Sequence, residues 1–362
     1  INAASDPAFL SLPPEDRQVL TIDDDLGDFT ISDVSGNLKE EALGDLVAFT
    51  VSLTAIPSSD VIINFSGNDS TEATIVNPSV TFNSTNWNIP QTINLQVVDD
   101  FIFDENQTST ITGSVSSSSD ASFTGAADKS VDVITEDNEV VDIIVNVLDN
   151  LTSESGDSGS FEINLTTEPL SDVFIELTST NELEGVLSTS VISFNATNWN
   201  IPQVVIVTGV DDDPPVSDGA ADYIIVTGNV SSTDDNYGLL DGSTVDDVNM
   251  SNQDNDSPGI ILTVLNDDFS TSESGDYVVI QFSLLSKPDG GESVTIPLSL
   301  DGPANEMDLS ADSITILADN WDNPSSNVVT ITGIDELFAD GNQELILITG
   351  DPTSASPFYD AI

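Results

Sequence analysis

The sequence predicts an all-β chain, a tandem array of Greek-key β-sandwich domains. Three observations predict it. A ten-residue phrase occurs three times: Phe82-Asn-Ser-Thr-Asn-Trp-Asn-Ile-Pro-Gln91, Phe194-Asn-Ala-Thr-Asn-Trp-Asn-Ile-Pro-Gln203 and Ile316-Leu-Ala-Asp-Asn-Trp-Asp-Asn-Pro-Ser325. Its Trp residues, 87, 199 and 321, lie 112 and then 122 residues apart, a spacing that suits one domain per copy. Apolar residues alternate with polar ones in short β-branched runs, and Gly, Pro, Asn, Asp and Ser bound those runs.

The landmarks recur in one order. An acidic-Gly phrase comes first: Glu40-Glu-Ala-Leu-Gly-Asp45, Ser153-Glu-Ser-Gly-Asp157 and Ser272-Glu-Ser-Gly-Asp276. An alternating strand follows it: Val47-Ala-Phe-Thr-Val-Ser-Leu53, Phe161-Glu-Ile-Asn-Leu165 and Val278-Val-Ile-Gln-Phe-Ser-Leu284. Then come a Pro turn at Pro57, Pro169 and Pro288, a second strand, the Trp phrase and a third strand. An acidic loop trails each Trp phrase: Asp99-Asp100 to Asp104, Asp211-Asp212-Asp213 to Asp218-Gly219, and Asp335-Glu336 to Asp340-Gly341. A strand ending in Thr-Gly, a Ser-rich crossover and a last strand complete the unit, which closes in Thr135-Glu-Asp-Asn138 or Asn252-Gln-Asp-Asn-Asp256. A Trp met once per domain between strands reads as packing, since indole burial stabilises a small sandwich.

This order divides the chain into residues 1–25, a first repeat 26–138, a second 139–256 and a third 257–362 that lacks its last strand. Within 1–25, Val19-Leu-Thr-Ile-Asp-Asp-Asp25 matches Val131-Asp-Val-Ile-Thr-Glu-Asp137, so the segment reads as the end of a preceding repeat or as a donor strand that completes another subunit's third domain.

Charge narrows the function. The 362 residues hold 64 Asp and Glu against 4 Lys and Arg, for a net charge of −60. Surface ion pairs cannot offset this, so bound cations must neutralise part of it or high salt must screen it. The same field repels nucleic acid. With neither His nor Cys, the chain has no imidazole base, no Ser-His-Asp triad, no disulfide and no thiolate zinc site. No apolar run is long enough for a membrane-spanning helix. A catalytic carboxylate pair normally occurs once, whereas these acids repeat with the domain, so an enzyme is not expected.

What chemistry remains is oxygen ligation. Calcium takes six to eight oxygens in flexible geometry. In the second repeat the acids fall in three places: Glu154, Asp211 to Asp213 with Asp218, and the exit pair Asp254 and Asp256. The loops at one end of a sandwich converge in space, so these acids can meet at a pole beside the entry to the next domain. No loop has the twelve-residue EF-hand pattern.

The order Ser-Glu-Ser-Gly, Leu-Thr-Thr-Glu-Pro, Asn-Trp-Asn-Ile-Pro-Gln and Val-Thr-Gly-Val-Asp-Asp resembles Calx-beta-type repeats, and with them the cadherin-like tandem repeats of giant bacterial surface adhesins. Calx-beta repeats occur in sodium–calcium exchanger regulatory domains and in integrin β4; the bacterial form, as in gliding-motility adhesins of Bacteroidota, is the most similar. The resemblance implies a seven-stranded sandwich with calcium at one pole. Carried over by position, it implies Glu41, Asp99, Asp100, Asp104 and Asp137 as metal ligands in the first repeat. In the second they are Glu154, Asp211, Asp212, Asp218 and Asp254, and in the third Glu273, Asp335, Glu336 and Asp340. The first repeat departs from the pattern, with Lys39-Glu-Glu-Ala-Leu-Gly-Asp45 at its entry and no Gly after Asp104.

The expected function is structural: a calcium-stiffened segment of an extracellular adhesin or filament. Its partners would be neighbouring repeats of the same or an identical chain, with surface glycans or other cells as adhesion targets. Two alternatives keep the architecture. One is a self-assembling filament subunit joined by strand donation. The other is a halophile surface or S-layer protein that salt stabilises without specific calcium.

Overall fold

The computed structural model describes residues 17–21, 26–42, 44–117, 119–265, 269–339, 341–360 and 362. Residues 1–16 and 22–25, most of the segment read as a repeat end or donor strand, lie outside the described residues, as does Asp340. The described chain is all-β; its only helical turns are short 3-10 segments. It divides into two compact units, Ile1–Asn138 and Glu139–Ile362.

The first unit is a sandwich of two sheets. One runs in the order Phe29–Ile31, Leu46–Leu53, Gln91–Val97, Ala73–Ile75. The other runs Leu38–Lys39, Lys129–Glu136, Gln107–Val115, Val61–Ser66, Ser79–Phe82. Sequence neighbours cross between the sheets, as a Greek key requires. Alternation fills the space between them: Val61, Ile63 and Phe65 point inward along one strand and Ile93, Leu95 and Val97 along another. Phe49 and Phe65 meet edge to face, with ring centroids 5.4 Å apart.

The second unit holds two such sandwiches, each with its own core. The first of these pairs Ile143–Asp149, Ser158–Leu165, Gln203–Gly209 and Gly185–Leu187 against Leu151–Ser153, Val248–Gln253, Ala221–Ser232, Val173–Ser179 and Val191–Phe194. The next pairs Ile260–Val264, Tyr277–Leu284, Val328–Gly333 and Met307–Leu309 against Ser313–Ile316, Val294–Asp301 and Ile346–Thr349. Below they are the second and third sandwiches.

The Trp phrase forms the corner between strands. Asn83 and Asn195 each accept the N–H and hydroxyl of a Thr two residues on, which tightens the turn. The carbonyls of Trp87, Trp199 and Trp321 then accept the N–H groups of Leu53, Leu165 and Leu284, 2.8–2.9 Å away, pinning the corner to the opposite strand. Trp199 belongs to a core, whereas Trp87 and Trp321 are half-buried against theirs. The Trp is thus a packing residue. Replacing Trp199 with Ala is expected to remove about 3–5 kcal/mol of stability and Trp87→Ala distinctly less. Calorimetry of the two variants tests this, and equal losses would contradict the assignment of burial.

Candidate cation site at the sandwich poles

Strand register delivers the acids of the second sandwich to one pole. Leu151–Ser153 runs parallel to Val248–Gln253, pairing Thr152 with Asn252 and Ser153 with Gln253. The next backbone bond, from the Glu154 N–H to the Gln253 carbonyl at 3.0 Å, turns the Glu154 side chain inward. Glu154 is 6% exposed, and its Oε2 accepts the Asn255 N–H at 2.9 Å.

The long loop after Gln203–Gly209 arrives from the other sheet. Asp254 Oδ2 accepts the N–H groups of Asp218 at 3.0 Å and Gly219 at 2.6 Å, so the strand exit holds the loop by its backbone. Asp254 Oδ1 accepts the Asp256 N–H at 2.6 Å. Two sets of carboxylate oxygens result, Glu154 with Asp212 and Asp218, and Glu154 with Asp254 and Asp256, each mutually within 4.8 Å. Asp211 is at the exposed rim, 3.4 Å from the Asn255 amide. Asp256 Oδ2 is buried and has no hydrogen-bond partner.

Packing like charges together disfavours their ionised form. Burial, reinforced by Asp254, Asp212 and Asp256, pushes Glu154 up to about 7. Burial and the charges of Asp212 and Asp254 raise Asp218 to about 6. Asp212 and Asp256 are also raised, chiefly by burial.

The loop that carries Asp212 and Asp218 also touches the third sandwich. Val216 and Ser217 pair in parallel with Lys287 and Pro288, and the Lys287 N–H donates to the Pro215 carbonyl at 2.8 Å. Gly219 sits at φ +82°, where a Cβ would lie 2.8 Å from the Phe358 ring. Asp289, from the third sandwich, adds to the field that raises Asp218. One loop therefore serves both the carboxylate cluster and the joint.

The first sandwich repeats this plan with one correction to the sequence reading. Lys39 pairs with Glu136, and the following Glu40 N–H donates to the Glu136 carbonyl. That register places Glu40, 3% exposed, where Glu154 stands, and leaves Glu41 exposed. Strand alternation is the reason: adjacent residues face opposite ways, and the extra residues before Gly44 hid the register. Carboxylate oxygens of Glu40 and Asp99 lie within 4.8 Å of each other. Asp137 Oδ2 accepts the N–H groups of Asp104 at 3.1 Å and Glu105 at 2.7 Å, as Asp254 does for Asp218 and Gly219. Glu105 takes the left-handed conformation, φ +62°, that Gly219 and Gly341 hold at +82° and +79°. The loop keeps its shape without the glycine.

A further acid escaped the sequence reading. Val98, Val210 and Ile334 donate their N–H groups to the carbonyls of Glu72, Glu184 and Glu306, so these three glutamates occupy one place in the three sandwiches. Glu72 is 3% exposed, and burial together with Asp104 and Asp100 raises it to about 7. Glu184 Oε2 accepts the Asn252 amide at 3.1 Å, and its charge acts on Asp212 and Asp218. A glutamate 15 residues before the Trp of every repeat was the available signal.

In the third sandwich the acids stand apart. Glu273 and Asp335 are exposed, and Glu273 shares the wall of an open cavity of about 510 Å³ with Glu306. Glu336 Oε2 accepts the Phe338 N–H at 2.7 Å while its Oε1 is buried without a partner. Among the described residues, no three acids meet there within ligand distance.

No protein-family model and no curated protein matches the chain. Among solved structures it is similar to the calcium binding domain CBD12 of CALX1.1, with TM-score 0.26 and 10% identity over 58% of this chain and 80% of that one. It is also similar to domains 4–9 of the surface layer protein SbsC, with TM-score 0.24 and 11% identity over 90% of this chain and 46% of that one. A third, a protein of unknown function from Porphyromonas gingivalis W83, has TM-score 0.21 and 9% identity over 62% of this chain and 99% of that one.

Two outcomes follow from the poles. Glu105→Gly relieves a left-handed non-glycine residue and is expected to stabilise the first sandwich by about 1 kcal/mol, read as a rise in its melting temperature. For Glu154 the folded value, about 7, lies above its ordinary 4.5. Between these values the folded state holds a proton that the unfolded state releases. The contribution is therefore fully present below pH 4.5 and is lost as pH rises through about 7. With divalent cations removed, melting of the second sandwich should fall across that window, and Glu154→Gln should flatten the fall. A melting temperature that climbs with pH would contradict the cluster.

Proposed function

We propose that this chain is a structural segment of an extracellular surface protein, an adhesin or filament, whose sandwich poles bind calcium and are stiffened by it. The observation that carries the reading is the convergence of Glu154, Asp212, Asp218, Asp254 and Asp256, with the Asp256 Oδ2 buried and unpaired. The donor set fits a hard cation: every side chain is a carboxylate, and His and Cys, which transition metals prefer, do not occur in the chain.

A bound divalent cation supplies positive charge where burial and repulsion now hold carboxylates partly protonated. Asp218 and Asp212 would hold it from the loop, Glu154 from the parallel strand, and Asp254 and Asp256 from the strand exit. Because Val216 and Ser217 of that loop pair with the third sandwich, ordering the loop also restrains the joint. The role is mechanical, with adhesion to glycans or other cells as the wider setting. The first sandwich takes a second cation through Glu40, Glu72, Asp99, Asp100 and Asp104.

The net charge of −60 favours a second reading, a surface layer stabilised by molar salt in place of specific ions. Titration of the melting temperature at low ionic strength separates the two. Saturable stabilisation at millimolar calcium or below, reduced at least about tenfold in affinity by Asp254→Asn or Glu154→Gln, is expected for ligated sites. Stabilisation that requires molar sodium chloride and ignores calcium would replace this reading with the salt-dependent one.

A further inference from the structure

The Pro turn is held differently in the third sandwich. In the first, Asp120 Oδ2 accepts the N–H groups of Ser58 and Ser59, at 2.7 and 2.8 Å. In the second, Asp234 Oδ2 accepts the Leu170 N–H at 2.7 Å. Both aspartates are at most 4% exposed. Tyr237 and Tyr359 locate the matching place in the third sandwich. Their hydroxyls donate to the carbonyls of Thr167 and Ser286, each two residues before the turn proline. Three residues before the two tyrosines stand Asp234 and Ser356. Serine lacks the reach of aspartate: Ser356 is 2% exposed, and its Oγ has no hydrogen-bond partner among the described residues. The acid stands on the turn itself, where Asp289 follows Pro288 as Ser58 follows Pro57 and Leu170 follows Pro169.

The loop of the second sandwich holds this turn instead. The Lys287 N–H donates to the Pro215 carbonyl, and Val216 and Ser217 pair in parallel with Lys287 and Pro288. The Phe358 ring lies against Gly219 of the same loop. Phe358 precedes Tyr359, whereas the residues before Phe123 and Tyr237 are the polar Ser122 and Asn236. The next residues along the two paired segments are Asp218 and Asp289. Neighbouring strands lie about 4.8 Å apart, and like charges in facing places destabilise the pairing. The Asp289 charge acts on Asp218 and raises it. Lys287, the basic side chain of the turn, makes no ion pair among the described residues.

We propose that Lys287-Pro288-Asp289 is a charge-gated latch between the second and third sandwiches. The backbone bridge and the Phe358 ring close it, and repulsion between Asp218 and Asp289 brings it close to opening. A turn pinned to its own sandwich, as at Ser58 or Leu170, keeps its shape whatever its neighbour does. This one takes its order from the neighbouring sandwich, so load or charge on the loop of the second is felt by the third. A bound cation would tighten the latch but is not needed to close it.

The test is hydrogen exchange of the full chain in excess chelator, read by NMR at the Lys287 amide. Salt is held at about 0.1 M, where the Debye length is about 10 Å, and the Val205 and Ile225 amides report that each variant stays folded. The Lys287 amide is expected to be protected. Asp289→Asn should slow its exchange about threefold, and the gain should disappear at about 1 M salt. Phe358→Ala should speed it about tenfold and leave the two core amides unchanged. A Lys287 amide that exchanges freely overturns the latch. So does an Asp289→Asn variant that exchanges no more slowly, or whose gain persists in high salt, and so does a Phe358→Ala variant without effect. Because calcium is absent throughout, the outcome does not depend on whether the poles bind it.

Discussion

Like-charge crowding at the strand ends is the constraint around which these sandwiches are arranged. With 64 acids and 4 basic side chains, the protein cannot distribute opposite charges over its surface. The described ion pairs, Lys39 with Glu136 and Lys129 with Asp28, both at 3.0 Å, offset little of it. Exposed acids are tolerated because water and salt screen them. Several at the poles are buried: Glu40, Glu72 and Glu154 are each at most 6% accessible. A fold that buries carboxylates without basic partners stores repulsion that protons or cations relieve.

The strands supply the rigidity that makes such crowding persist. In the first and second sandwiches the pole draws on a parallel bridge, an exit aspartate and a loop from the opposite sheet. The exit aspartate fixes the loop by accepting two backbone N–H groups, at Asp104 and Glu105 or at Asp218 and Gly219. Charge-assisted bonds of this kind are strong and directional. The Trp corners hold the far ends of the same strands, so the side chains at the pole have little freedom to move apart. In the second unit the loop continues into a bridge with the next sandwich, which ties the electrostatics of the pole to the mechanics of the joint.

Several features of the site were readable in the residues, and others were not. Glu154, Asp212, Asp218 and Asp254 were visible because the acidic loop and the strand exit recur as words. Glu40 was missed by one residue, since Lys39-Glu-Glu does not say which glutamate faces inward until the parallel pairing with Glu136 is known. Glu72 and Glu184 sit far from the acidic loops in sequence and reach the pole only through the sheet order. Glu105 looked like a lost glycine, yet the two N–H bonds to Asp137 hold it left-handed all the same. In the third sandwich the acidic words are present, but among the described residues no three carboxylates come within ligand distance.

The sequence by itself determined the all-β class, the packing role of the Trp residues and the carboxylate-only character of the charged groups available to the poles. Each follows from local pattern or composition: period-two alternation, a once-per-copy indole, the lack of His and Cys. Tertiary structure decided which acids share a pole and which glutamate of a pair is buried. Those depend on strand register and on contacts between residues about a hundred positions apart, and a one-residue shift in register reverses the direction of every side chain.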